Sequence, residues 1–217
     1  MLLQKTALPW LVLVSVCLPG CLEVETRPRP DLSDAADLLP TDLGPRCAAA
    51  AGFSGEALLC VDFSSFPDGK LTAPLPAGLK DWDFTNTGCG VGWEIQAGKL
   101  RVVDFDKFKG DCRFSTPALP LKAADHAKAT IALVHHVDLS GSQQKIQMML
   151  GQDDPDNFLI TQWTGRQKPQ KSSVTLAYSD ATANGDLQPL FKIASTVGTG
   201  QQFQGWQVES IAVIGQK

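Results

Sequence analysis

From residue 57 onward the chain alternates short apolar or alternating runs with clusters of Gly, Pro, Asn and Asp, the pattern of half-buried strands. Strands are expected over residues 57–63, 93–95, 99–104, 129–139, 145–151, 158–163, 173–178, 191–194 and 206–214, and no interval there sustains a helical period over three turns. Asn184-Gly185 is a hairpin signal, and residues 153–157 around Pro155 form a second turn. Many strands at this spacing predict an all-β sandwich or barrel.

Side-chain parity says which face of each strand is buried. In residues 129–139, Ile131, Leu133, His135, Val137 and Leu139 share one face, while Thr130, Ala132, Val134, His136 and Asp138 share the other. The first set is the core face. Ile146, Met148 and Leu150 point inward from the next strand, with Lys145, Gln147 and Met149 outward. In the strand after that, Phe158 and Ile160 oppose Leu159, Thr161 and Trp163, and the two faces are less distinct.

The first twenty residues follow a different pattern. A short n-region with Lys5 leads into an apolar run broken by Pro9, Ser15 and Pro19. The run is shorter than the roughly 20 apolar residues needed to cross a bilayer, and reads as an export signal. It ends in Leu18-Pro19-Gly20-Cys21, which resembles the lipobox of bacterial lipoproteins. That resemblance implies a mature N-terminus at Cys21 carrying acyl chains, hence a membrane partner. Leu22 in place of aspartate after the cysteine favours the outer membrane of a Gram-negative envelope. Residues 22–46 are rich in proline, carboxylates and arginine without an apolar period, the composition of a solvated tether. Three segments follow: signal peptide 1–20, lipidated cysteine and acidic tether 21–46, and a folded domain 47–217.

The net charge of −4 over 217 residues is dispersed, with no Lys/Arg-rich stripe, which argues against nucleic acid as a partner. Of the six cysteines, Cys47, Cys60, Cys89 and Cys112 lie in the domain without CxxC spacing. Exported context favours disulfides over zinc. Three connectivities are open, and pairing nearest neighbours selects Cys47–Cys60 and Cys89–Cys112.

The order of features in the domain resembles the concanavalin A-like jelly roll of lectins and glucanases. The residues that carry the resemblance are Val61-Asp62-Phe63, Gly92-Trp93-Glu94 followed by Gly98-Lys99-Leu100, and Gly205-Trp206-Gln207-Val208 near the end. It implies two antiparallel sheets, with the first and last strands of the domain paired in one of them. Hydrolytic members carry clustered acids, because one carboxyl must protonate the leaving oxygen while another attacks or activates water. Here Glu56, Glu94 and Glu209 are far apart in sequence, and no Gly-x-Ser-x-Gly elbow is present, so the domain is expected not to be an enzyme.

Binding residues are sought instead. Trp93 and Trp206 are expected in the core, His135 as a satisfied core histidine and His136 at the surface. Being neighbours in a strand, His135 and His136 cannot chelate one metal. Trp163 with Gln147, Thr161, His136 and Arg166 is the candidate ligand patch, since an aromatic face stacks on sugar C–H groups while amides bond hydroxyls. Asp153, Asp154, Asp156 and Asn157 form the densest oxygen cluster; an acidic turn is the leading reading and calcium the alternative, and no other cofactor is expected. The expected function is a lipid-anchored envelope module that binds glycan, with a structural or protein-interaction lipoprotein as the alternative.

Overall fold

The computed structural model describes residues 47–84, 91–141, 143–151, 158–181, 186–196 and 203–217. The signal, Cys21, the tether, Cys89, the Asn184-Gly185 turn and the oxygen cluster at residues 153–157 lie outside the described residues.

The strands, in chain order, are β1 (Glu56–Asp62), β2 (Gly69–Lys70), β3 (Trp93–Gln96), β4 (Lys99–Val102), β5 (Gly110–Ser115), β6 (Leu119–Pro120), β7 (Lys128–Asp138), β8 (Gln144–Leu150), β9 (Phe158–Trp163), β10 (Arg166–Ala177), β11 (Asp186–Leu187), β12 (Pro189–Ser195) and β13 (Gly205–Gln216). One helical turn, α1 (Tyr178–Ala181), follows β10. All strand pairings are antiparallel. The larger sheet runs β10-β7-β13-β4-β3-β2, with β1 also on β13, and a four-stranded sheet runs β5-β12-β8-β9. A two-stranded piece joins β6 and β11.

The first and last strands pair as expected, from Glu56↔Gly215 to Asp62↔Ser210. β13 is long enough to serve two neighbours along one edge, β4 at Gln207 and Val208, and β1 beyond Ser210. Two such apolar strands would otherwise leave bare, aggregation-prone edges. A bulge between Val208 and Ser210 lets this strand keep facing the core: Trp206 and Val208 point inward before it, Ile211 and Val213 after it.

Between the sheets lies an aromatic core. Phe114 stacks on Phe191 with ring centroids 4.9 Å apart and meets Trp93 edge-on at 4.9 Å. Trp82 and Phe84 extend the stack, and Trp206 lies 5.8 Å from Phe114. Trp93 and Trp206 are buried as expected. Trp93 also joins the layers by a polar link, its indole N–H donating to the Arg113 carbonyl at 3.0 Å. Gly205 (φ 74°) opens β13 where any Cβ would stand 2.6 Å from the Phe105 ring, so both conformation and space require glycine there.

Cys47 and Cys60 form the expected disulfide, with Cα atoms 5.7 Å apart. The bridge holds residues 47–53 against the outer face of the larger sheet, where Ala49 packs on Ala132, Ala212 and Ile214. Phe53 lies under the Lys171 ammonium at 4.5 Å, and Lys171 also donates to the Ala51 carbonyl. Desolvation in this contact lowers the Lys171 pKa. Cys112 is buried and disulfide-bonded.

Candidate functional site

The outer face of the larger sheet is largely committed to structure. One part is roofed by residues 47–53. Elsewhere several of its charges are paired, Arg101 with Glu94 at 2.7 Å, Lys99 with Glu209 at 2.8 Å and Arg166 with Asp138 at 2.9 Å.

The expected ligand patch is not assembled. A bulge between Met148 and Met149, taken up on β9 at Ile160, turns that strand by one residue. Thr161 and Trp163 therefore sit opposite the core residues Met148 and Ile146. Trp163 packs edge-on against the His135 ring at 4.9 Å. Gln147, between Ile146 and Met148, faces the other way. His136 is on the outer face of the other sheet, opposite Gln207, and Arg166 lies over the Phe203 ring at 5.0 Å. Simple alternation cannot reveal this, because a bulge inverts parity without a signal in the residues themselves.

His135 is the satisfied core histidine the pattern anticipated. It accepts from the Trp206 indole N–H at 2.9 Å and sits 2.8 Å from the Ser172 hydroxyl. An indole nitrogen can only donate, so Nδ1 is the acceptor and the ring proton is on Nε2, pointing to Ser172. Burial, with the neighbouring His136 charge second, lowers its pKa to about 4.

A cleft of about 480 Å³ opens at the end of the larger sheet, lined by Glu56, Asp125, His126, Lys128 and the 215–217 end of the chain. Its buried member, His126, takes the Lys122 backbone N–H on Nδ1 at 3.3 Å and lies 3.0 Å from the Glu56 carboxylate through Nε2. Both ring nitrogens are used in holding the loop before β7 to β1, and this cleft reads as a structural clasp.

The outer face of the four-stranded sheet is differently built. Ile146, Met148, Phe191, Ile193, Cys112 and Phe114 belong to the core, so the alternate residues of β5, β12 and β8 point out. Registers place them in rows across the strands. Arg113, Lys192, Gln147 and Gln162 form a polar row, each opposite the next. Ser115, Leu190, Met149 and Leu159 form an adjacent, mainly apolar row. Leu159 is 45% exposed, while Leu190 and Met149 are each 8% exposed. Rows two residues apart are separated by about 7 Å, and four strands span roughly 14 Å. Among the described residues, no aromatic points outward from this face. Of the expected ligand residues only Gln147 belongs to it; Arg113 was missed because its strand β5 shows just Cys112 and Phe114 as apolar period, Gln162 because it follows the bulge at Ile160, and Lys192, on β12, is an outward position that alternation alone marks without any chemistry.

No protein-family model and no curated protein sequence matches the chain. Solved structures with a similar backbone include a xylan-binding domain from Paenibacillus barcinonensis, 16% identical over 77% of this chain and 99% of that one, with a TM-score of 0.41. A carbohydrate-binding module of a Cellvibrio mixtus lichenase, in complex with cellotriose, is 9% identical over 74% and 99% of the two chains, with a TM-score of 0.40. A cleaved adhesin domain of Lys-gingipain from Porphyromonas gingivalis is 15% identical over 73% and 98%, with a TM-score of 0.43.

Proposed function

We propose that the chain is a non-catalytic glycan-binding module of the bacterial cell envelope, held at the membrane by acyl chains on Cys21. The observation that carries the reading is the pair of rows on the four-stranded sheet. Sugar rings present C–H patches beside hydroxyls, and the exposed Leu159 next to a row of carboxamides and cations meets both at once. Gln147 and Gln162 each offer a donor and an acceptor, which a hydroxyl can satisfy in either sense. In the cleft at the end of the larger sheet, Glu56 and the buried His126 are engaged with each other and with the Lys122 backbone rather than set as the free pair of carboxyls that hydrolysis requires.

A glycan array probed with the full-length protein tests the reading. The expected result is binding to a defined set of glycans that falls roughly thirtyfold when Gln147→Ala and Gln162→Ala are combined, at about 1 kcal/mol per lost hydrogen bond. Absence of binding to any glycan would leave the protein-interaction reading, which the exposed Leu159 beside Met149 favours. The anchor is tested separately: the Cys21→Ser protein should leave the detergent phase that the wild type enters, and unchanged partitioning would remove the anchor from the account.

A further inference from the structure

β10 closes one side of the larger sheet. It is paired with β7 from Arg166↔Asp138 to Ala177↔Lys128, and among the described residues no strand pairs its other edge. A row of free backbone N–H and C=O groups is a template for another strand unless side chains guard it. The first half of β10 is guarded. Arg166, Lys168 and Lys171 carry charge, Pro169 lacks an N–H, and a bulge falls between Gln167 and Gln170. The second half, residues 172–177, has neither charge nor proline.

That half also leaves apolar surface uncovered. Ser172, Val174 and Leu176 lie opposite Leu133, Ile131 and Ala129, so they face the core. Their partners on β7 are fully buried, whereas Val174 and Leu176 are only partly so. The cause is an overhang: β9, the end strand of the other sheet, sits over β7 with Trp163 against His135, and β10 projects beyond it. β9 also lacks charge and proline over Phe158–Trp163, so this flank of the sandwich is unguarded in both sheets.

We propose that the occupant of this edge is β10 of a second copy of the chain, running antiparallel about a two-fold axis through Val174. Directly opposite residues of an antiparallel pair share a face, so residues of equal parity must meet. Centring on Val174 sets Val174 on Val174 and Ser172 on Leu176 along the core side, with Ser173 on Thr175 outside. Lys171 then meets Ala177, and the exposed Lys168 comes to the end where the other copy carries the exposed Asp180, so the charges at the two ends attract. Centring on Ser172 would draw in Pro169 opposite Thr175, and centring on Leu176 would run into the helical turn at Tyr178. A two-fold pairing uses the edge up and stops at the dimer. The two larger sheets become one, with both four-stranded sheets on the same side of it. Under the glycan reading, one polymer can then engage both copies.

The test is the association state of the full-length protein in detergent, followed by sedimentation without any glycan, up to about 1 mM to cover weak specific interfaces. The expected result is a monomer–dimer equilibrium. Its dissociation constant should rise at least tenfold with Ser173→Lys, which sets ammonium groups across the pairing line from an exposed position. Asp180→Lys should raise it about fivefold, and adding Lys168→Asp should restore it. Val174→Cys should give a disulfide-linked dimer on oxidation by dioxygen, because its two copies stand opposite each other. Lys70→Cys, on the far edge strand β2, should not. A monomer throughout the range, growth past the dimer, or cross-linking as fast through Lys70→Cys as through Val174→Cys overturns the proposal. A dimer indifferent to Ser173→Lys and to the charge exchange overturns it as well.

Discussion

Trp206 donates its indole N–H to Nδ1 of His135 at 2.9 Å in the middle of the sandwich. The contact ties β13 to β7 by side chains as well as by backbone, and it fixes the histidine as neutral. With the native pKa lowered to about 4 and an unfolded value near 6.5, the unfolded chain takes up a proton in the interval where the native state does not. Stability from this group is complete above pH 6.5, falls as pH drops through that value, and levels off below about 4. Urea unfolding at pH 7.5 and pH 5 should differ by about 2 kcal/mol from this group. A His135→Gln variant should lose most of that difference; a variant with the same pH slope as wild type would show that another group is responsible.

The turn between β3 and β4 places Ala97 at φ 51° and Gly98 at φ 70°, the two positive values of a tight hairpin. Alanine is strained there, and the turn is held by the Asp68 carboxylate accepting from the Ala97 N–H at 3.1 Å. Ala97→Gly should raise stability by up to about 1 kcal/mol, read as an increased denaturation midpoint at constant m. Asp68→Ala should lower it by a comparable amount.

Gly215 lies in β13, where alanine would ordinarily be the better residue. A Cβ there would stand 2.3 Å from Cδ2 of His126, a ring pinned on both sides by Lys122 and Glu56. Gly215→Ala should therefore cost about 1–3 kcal/mol. In a His126→Ala background the same substitution should cost less than about 0.5 kcal/mol, because the obstructing ring is gone. Equal costs in both backgrounds would place the strain elsewhere.

Replacing Cys47 and Cys60 by serine removes a cross-link across a sequence separation of 13. Unfolding free energy should drop by about 3 kcal/mol in the chain-entropy view. Hydrogen exchange should rise first at Ala132 and Ala212, the residues that Ala49 covers.

What the chain makes legible is the part of the structure that alternation writes repeatedly. β1, β7, β8, β9 and β13 appear within a residue or two of expectation because each carries several apolar residues at one parity, and the apolar density of β1 and β13 anticipates their pairing. β5 is invisible because Cys112 and Phe114 are its only clear apolar pair. The start of β10 is hidden likewise: residues 166–171 are polar or proline, as suits a sheet edge, and look like loop. Parity also misplaces the ligand patch. A single extra residue at Ile160 sends Trp163 inward onto His135 and leaves Gln162 and Leu159 outside, and no local residue type announces such a bulge.

The central claim is that glycan lies on the outer face of the four-stranded sheet, and an NMR titration with a soluble oligosaccharide taken from the array's strongest ligand tests it most directly. The account predicts that backbone and side-chain amide shifts move along the Arg113, Lys192, Gln147 and Gln162 row and its Leu190 and Met149 neighbours, while Gln207 and His136 on the opposite face stay still. Shifts centred on Gln207 and His136, or in the cleft around Glu56 and His126, with the four-stranded face unmoved, would contradict it.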